Sequence, residues 1–158
     1  MRLLALTFLI FLASIDYLSK TLVKHYVEND FYRLNEFFTI QIIYNRGIAF
    51  SIFDSSSSLV NNILSMVIGL IILFLLFVFI RGFNTFYKTE LVGYMFLIGG
   101  ALGNFLDRII NGSVLDFIVV NYNQIYFPAI FNIADIMISF GVLLIITNYI
   151  IRPASDKL

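Results

Sequence analysis

The sequence contains no cysteine, and only one of its 158 residues, His25, is a histidine. Without thiols the chain cannot form a disulfide, a cysteine nucleophile or a thiolate metal site. A single imidazole also argues strongly against a metal site built from several histidines and against a catalytic triad that depends on histidine. Any chemistry must therefore come from carboxylates, amides, hydroxyls, lysine and arginine.

Charged residues are scarce as well. They make up 13% of the chain, whereas hydrophobic residues make up 60% and the mean hydropathy is +0.93. Soluble domains contain about 25% charged and about 45–50% apolar residues, so this composition indicates a membrane protein. Ten basic and ten acidic residues cancel, and we expect no nucleic-acid partner. The length favours a single membrane domain over residues 1–158.

Four apolar runs reach the length of about 20 residues that a helix needs to cross a bilayer. They cover residues 3–23, 59–80, 91–110 and 130–151. Basic residues precede the first run, lie between the second and third, and follow the fourth: Arg2, Arg81, Lys88, Arg152 and Lys157. By the positive-inside rule we expect both termini in the cytoplasm.

The segments 24–58 and 111–129 should then face outward, although the first also carries Lys24, Arg33 and Arg46. Within it, the stretch FFTIQIIYNRGIAFSIF (residues 37–53) is rich in β-branched and aromatic residues. This composition predicts a small strand or hairpin element. We treat residues 111–129 as a loop.

Polar residues recur at helical spacing in three of the predicted helices. The three stripes are Asp16, Lys20 and Lys24 in the first helix, Gly100, Asn104, Asp107 and Asn111 in the third, and Asn132, Asp135 and Ser139 in the fourth. Because polar and charged groups are costly in hydrocarbon, we expect the stripes to converge inside the bundle. Gly99, Gly100 and Gly103 would let the third helix approach its neighbours closely.

Two acids, Asp116 and Asp135, fall near the predicted outer ends of the third and fourth helices. Neighbouring carboxylates in a low-dielectric site tend to share one proton, which supplies a base and an acid at once. Peptide hydrolysis without Ser, Cys, His or a metal needs such a pair. On the residues alone, Asp107 is as good a candidate as Asp116. Structural ion pairing, ion transport and catalysis all stay open as explanations.

Five short stretches, taken in order, carry a resemblance to a known family. They are DYLSK (16–20), NRGIAFS (45–51), GGALGNFLDR (99–108), VLDF (114–117) and FNIAD (131–135). In this order the sequence resembles the lipoprotein signal peptidases, also called signal peptidase II, over nearly its whole length. The resemblance implies an all-α integral membrane fold, a four-transmembrane-helix bundle with a small extracytoplasmic β-cradle.

The resemblance also implies a function. Members of the family are aspartyl endopeptidases of the bacterial cytoplasmic (inner) membrane. They remove signal peptides from prolipoproteins, cutting on the N-terminal side of the lipobox cysteine after it has received diacylglycerol. The family's catalytic pair falls on Asp116 and Asp135, near the outer face, and no metal or cofactor is implied. Expected partners are diacylglyceryl-prolipoproteins, membrane lipid and globomycin-type inhibitors. The alternative is a small ion-transporting or proton-transporting bundle.

Further positions are implied by the resemblance to bind substrate or support the site. They are Asn45, Gly47, Asn104, Arg108, Asn132, Asp16 and Lys20. Several have a purely structural alternative: a turn at Gly47, an ion pair of Arg108 with Asp107 or another acid, and hydrogen bonds between helices for Asn104 and Asn132. The sequence departs from the family pattern at Ile48, where alanine is usual, so we expect a narrower or reshaped groove there.

Overall fold

Four long helices form the frame of the protein in a computed structural model that describes residues 2–27, 31–47, 57–122 and 125–151. The helices are α1 (Arg2–Tyr26), α2 (Ser58–Gly82), α3 (Lys88–Asn111) and α4 (Ile133–Ile151). All four are long and apolar enough to cross a membrane. The predicted four-helix membrane fold is thus confirmed. The last helix begins three residues later than the run from 130 predicted, because strand backbone continues to Phe131.

Helix α3 is the central helix, since it packs against α1, α2 and α4. Leu9 of α1, Phe79 of α2 and Ile98 of α3 belong to one buried hydrophobic core, which joins these three helices. Helix α2 instead presents large apolar side chains outward, among them Leu73 and Phe74, as expected of a helix in contact with lipid. The position of α3 therefore decides where the polar side chains of the other helices meet.

Two glycines allow the close approach of α3 that the sequence predicted. A Cβ atom on Gly100 would lie 2.5 Å from the carbonyl oxygen of Ala134 in α4. One on Gly103 would lie 2.7 Å from Oδ2 of Asp16 in α1. Both distances are shorter than any ordinary Cβ contact, so only glycine permits this packing at these two positions. The close approach brings α1 and α4 against the same part of α3.

A four-stranded antiparallel sheet, the cradle, lies at the end of the bundle where α3 ends and α4 begins. Its strands are β1 (Phe31–Arg33), β2 (Phe38–Asn45), β3 (Val114–Tyr122) and β4 (Ile125–Phe131), in that spatial order. Strand β2 falls within the predicted stretch 37–53. Residues 48–53 of that stretch, with Ile48, lie outside the described residues.

The interpretation of residues 111–129 as a loop was wrong, because they form β3 and most of β4. The run of Ile118, Val119 and Val120 is β-branched and favours a strand, and pairing with both β2 and β4 stabilises it. Pro128 does not prevent β4 from forming, since β4 is the last strand in the sheet order and leaves one side unpaired.

The contact between α3 and α4 gives a first testable prediction. A Cβ on Gly141 would lie 2.5 Å from the backbone oxygen of Gly93 and 2.5 Å from the backbone nitrogen of Leu97. Because backbone cannot move aside cheaply, we expect Gly141→Ala to destabilise the protein by about 1–3 kcal/mol. Gly69→Ala is the matched control, since its Cβ would meet only the Phe105 ring, at 3.1 Å. Equal melting temperatures of the two purified variants in detergent would refute the prediction.

Candidate active site

Asp116 lies on β3, the cradle strand that connects back to α3. In the register of β2 and β3, Ile43 is opposite Asp116 and Asn45 is opposite Val114, so Asn45 and Asp116 are diagonal neighbours on one face. The Asn45 amide accordingly donates to Oδ2 of Asp116 at 3.0 Å. The Asn132 amide donates to its Oδ1 at 2.7 Å. Asp116 is only 4% exposed, and each of its oxygens accepts a hydrogen bond.

Asp135 is held at the first turn of α4 by a capping box. The backbone N–H of Asp135 donates to Oδ1 of Asn132 at 2.9 Å, and the backbone N–H of Asn132 donates to Oδ2 of Asp135 at 3.0 Å. The remaining oxygen, Oδ1, accepts from the Asn104 amide at 2.8 Å. These contacts fix the carboxylate at the positive end of the helix, where a negative charge is stabilised.

Asn132 therefore touches both acids. Its side-chain nitrogen donates to Asp116, and its backbone nitrogen donates to Asp135. The residue is completely buried, at 0% exposure. The structure thus brings Asp116 and Asp135 together around one side chain, at the junction of β4 and α4.

Behind the two acids, Lys20 binds a second cluster of polar groups. Its Nζ lies 2.6 Å from Oδ2 of Asp16, 2.9 Å from Oδ2 of Asp107 and 3.0 Å from Oδ1 of Asn104. The other oxygen of Asp16 accepts the backbone N–H of Ala134 in α4 at 2.9 Å. The cluster connects α1, α3 and α4 and balances buried charge. Asp107 is thereby engaged as an ion-pair partner of Lys20, and its Oδ2 also accepts the backbone N–H of Leu115 at 3.2 Å.

Arg108 reaches from α3 to the end of β2. It donates to the backbone oxygen of Arg46 at 3.2 Å and to that of Gly47. The alternative of an ion pair between Arg108 and Asp107 is not what the structure shows, because Asp107 pairs with Lys20. Gly47 lies in a bend at the end of the described segment 31–47, so the turn alternative for this residue stays a prediction.

Three members of the predicted stripes do not join the cluster. Lys24 is exposed near the end of α1. Asn111 is exposed because it is the last residue of α3, beyond the packed part of the bundle. Ser139 is exposed one turn below Asp135, where it lines a shallow outer groove together with Phe140 and Leu143. The expectation that whole stripes converge was too broad, and the inward-facing parts of the stripes stop at Asp107 and Asp135.

The sequence interpretation also missed the cap. We placed Asn132 inside the fourth helix, whereas it precedes the helix and caps it. The signal was present, since an Asn three residues before an acid at the head of an apolar run is a variant of the capping-box pattern. Recognising it would have fixed the contact between Asn132 and Asp135 from the sequence.

The environment of Asp116 changes its acidity. The pKa of this carboxyl is raised from 3.8 to about 6, chiefly by burial, against the lowering effect of the hydrogen bond from Asn45. The negative charge of Asp135 contributes to the rise, whereas Asn132 and Lys20 lower the pKa. A carboxyl that titrates this close to neutrality can both hold and release a proton under physiological conditions, as a general acid or base must.

A buried and a half-buried carboxyl around one asparagine, in a helical membrane bundle, are the groups that an aspartic hydrolase needs. The family model described as signal peptidase (SPase) II matches residues 8–151. The chain belongs to the signal peptidase II family and is an aspartic peptidase, a hydrolase. This membership does not favour the transporter alternative.

Individual relatives agree with this membership. The lipoprotein signal peptidase of Cellvibrio japonicus is 36% identical over 135 residues, which are 82% of this chain and 78% of the relative. That of Wigglesworthia glossinidia brevipalpis is 38% identical over 135 residues, with 85% and 86% covered. The chain therefore spans most of the length of both relatives.

Solved structures also resemble the fold. A bacterial membrane enzyme determined by the in meso method at 2.3 Å resolution superposes with a TM-score of 0.75 and 30% identity, covering 92% of this chain and 87% of the other. A second, at 1.9 Å resolution, gives a TM-score of 0.72 and 30% identity, with 94% of each chain covered. The bundle and cradle are therefore found together in experimentally determined membrane enzymes.

The raised pKa of Asp116 leads to a second prediction, testable by infrared spectroscopy of protein carrying isotope-labelled aspartate. We expect a protonated-carboxyl band that titrates with a midpoint of about pH 6 and is absent from Asp116→Asn. In Asp135→Asn the midpoint should fall, because the variant removes a negative charge that raises the pKa of Asp116. A midpoint that stays the same or rises in Asp135→Asn would contradict the coupling between the two acids.

Proposed function

We propose that the chain removes signal peptides from diacylglyceryl-modified prolipoproteins, with Asp116 and Asp135 as its catalytic pair. The observation that carries the proposal is the bridge by Asn132, which hydrogen-bonds to both carboxylates. The pair lies beside a sheet that can receive an extended peptide. Cleavage on the N-terminal side of the lipidated cysteine follows from membership of the family.

The two acids take different roles in the proposed reaction. Asp135, held by backbone N–H donation at the positive end of α4, acts as the base and takes a proton from water as the water oxygen bonds to the scissile carbonyl carbon. Asp116, whose pKa is raised to about 6, holds a proton at the start and gives it to the carbonyl oxygen of the scissile bond. The C–N bond then breaks. The proton on Asp135 passes to the leaving amine, and a hydroxyl of the diol returns a proton to Asp116.

Asn45 and Gly47 at the end of β2, together with Arg108 of α3, are proposed to shape the groove for the substrate. Asn45 orients Asp116 directly, and Arg108 fixes the backbone at Gly47 by donating to its carbonyl oxygen. Residues 46 and 47 follow β2 directly, so we expect their backbone to lie within reach of Asp116 and Asp135. We expect the extended segment around the scissile bond to run along this edge, with its carbonyl between Asp116 and Asp135.

The orientation in the membrane is proposed from the distribution of charge. Arg2 lies over the Phe83 ring, 5.7 Å from its centre, so the start of α1 and the end of α2 share one end of the bundle. Arg81 and Lys88 belong to the same connection, and the two acids and the cradle lie at the other end. By the positive-inside rule, both termini are cytoplasmic and the site is near the outer face of the bacterial cytoplasmic membrane.

Cleavage by purified variants tests the catalytic pair. We expect Asp116→Asn and Asp135→Asn each to lower kcat by about 10²–10⁴-fold, because each removes a group that transfers a proton. The measurement is mass spectrometry of a lipobox peptide that carries diacylglycerol, with globomycin as the inhibitor control. Glu36→Gln is the matched acid-to-amide control, since Glu36 is exposed in the turn between β1 and β2. If either Asn variant cleaves at the wild-type rate while folded, the assignment is wrong.

Single-cysteine labelling tests the orientation, and the natural absence of cysteine makes the background clean. Glu36→Cys places a thiol in the cradle, and Asn84→Cys places one between α2 and α3, where Asn84 is exposed. We expect a membrane-impermeant maleimide to label the first variant in intact cells and the second only after permeabilisation. The reverse pattern would overturn the proposed orientation.

A further inference from the structure

Two amides, those of the half-buried Asn104 and the buried Asn132, connect the Lys20 ammonium group to the pair of acids. Lys20 can only donate hydrogen bonds, so the Asn104 atom that lies 3.0 Å from its Nζ must be the amide oxygen. The amide nitrogen of Asn104 then faces Asp135, to which it donates at 2.8 Å. Lys20 is thus one of the groups that set which way the Asn104 amide points, together with the Asn132 amide, which donates to the same oxygen.

The orientation of the Asn104 amide in turn sets the orientation of the Asn132 amide. The same oxygen of Asn104 accepts the Asn132 amide nitrogen at 3.0 Å, and that nitrogen also donates to Asp116 at 2.7 Å. At its other end, the Asn132 oxygen accepts the backbone N–H of Asp135. Every donor and acceptor along this path agrees in direction, from Lys20 to both carboxylates.

We propose that Lys20 is a positioning residue, which orients the Asn104 amide so that Asp135 and, through Asn132, Asp116 face N–H donors. The inference rests on the assignment of the two acids as the catalytic pair. Without Lys20, the Asn104 amide can turn its oxygen towards Asp135, where oxygen would face oxygen. The carboxylate would then lose a charge-assisted hydrogen bond and its defined position.

The competing explanation is that Lys20 only stabilises the packing of the helices, because it also pairs with Asp16 and Asp107. Removing the lysine leaves two buried acids without their cation, which destabilises the bundle whether or not Asn104 matters. Asp107→Asn separates the two effects. It removes one ion pair but keeps the contacts of Lys20 with Asp16 and Asn104, so the orientation of the amide is retained.

A double-mutant cycle tests whether Lys20 acts through Asn104. We expect Lys20→Met and Asn104→Ala each to lower kcat on the lipobox peptide by about 10–100-fold, the effect of losing a hydrogen bond to a charged group. KM should change by less than about threefold, because substrate contacts are kept. The double variant should be no slower than the slower single variant. Lys20→Arg should restore most of kcat, since a guanidinium also only donates.

Multiplying effects in the double variant, or a wild-type kcat in Lys20→Met, would overturn the inference. If Lys20→Met does not fold, the cycle is repeated with Asp107→Asn as the parent protein. Lys20→Met is then introduced into that variant, so that one charge of each sign has been removed. The catalytic pair is judged separately by Asp116→Asn and Asp135→Asn. If these abolish cleavage and the cycle is additive, only the role of Lys20 fails. If they leave cleavage intact, the proposed pair fails.

Discussion

The hydrogen bonds between Asn132 and Asp135 hold the rest of the site in place. They cap α4, and by doing so they fix one of the two acids at the start of a membrane helix. The Asn132 amide then reaches across to Asp116 on the sheet. The end of a strand, the start of a helix and the two acids are thus joined by the contacts of one residue. A change at this position would alter secondary structure and chemistry together.

Burial of charge sets the second constraint. Asp16 and Lys20 are 0% and 2% exposed, and charges this deep are tolerated only when they are paired and hydrogen-bonded. Asp16 and Lys20 pair with each other within α1, whereas the ion pair between Lys20 and Asp107 joins α1 to α3 and forms only after these helices have packed. Gly103 permits this burial, because a side chain at its position would occupy the space that the Asp16 carboxylate fills.

The sequence predicted the parts of the structure that depend on local composition. The four helices followed from long apolar runs, and the cradle was expected around β2. Strand β3 was missed because one of its two pairings is with distant residues, such as Thr39 opposite Val119. Strand β4 was missed with it, because β4 pairs with β3. Composition over a few residues cannot show which distant partner a strand has.

The site was predictable to a similar degree. Spacing placed acids near one end of the bundle but could not separate Asp107 from Asp116. The choice depends on which acid Lys20 meets in three dimensions, and that contact is made between α1 and α3. The exposure of Ser139 was unpredictable for the same reason, because helical spacing identifies a stripe but not where a neighbouring helix stops covering it.

The position of both acids on one continuous segment has a consequence for assembly. Asp116 and Asp135 are separated by only the β3–β4 hairpin and one turn of helix. Closing so short a loop costs little chain entropy, so the hairpin and the cap can bring the acids together through local contacts. Lys20 lies on α1, which is synthesised before both acids, almost a hundred residues ahead of Asp116. Helix α1 must therefore keep its charged groups in the membrane until α4 is synthesised and completes the cluster.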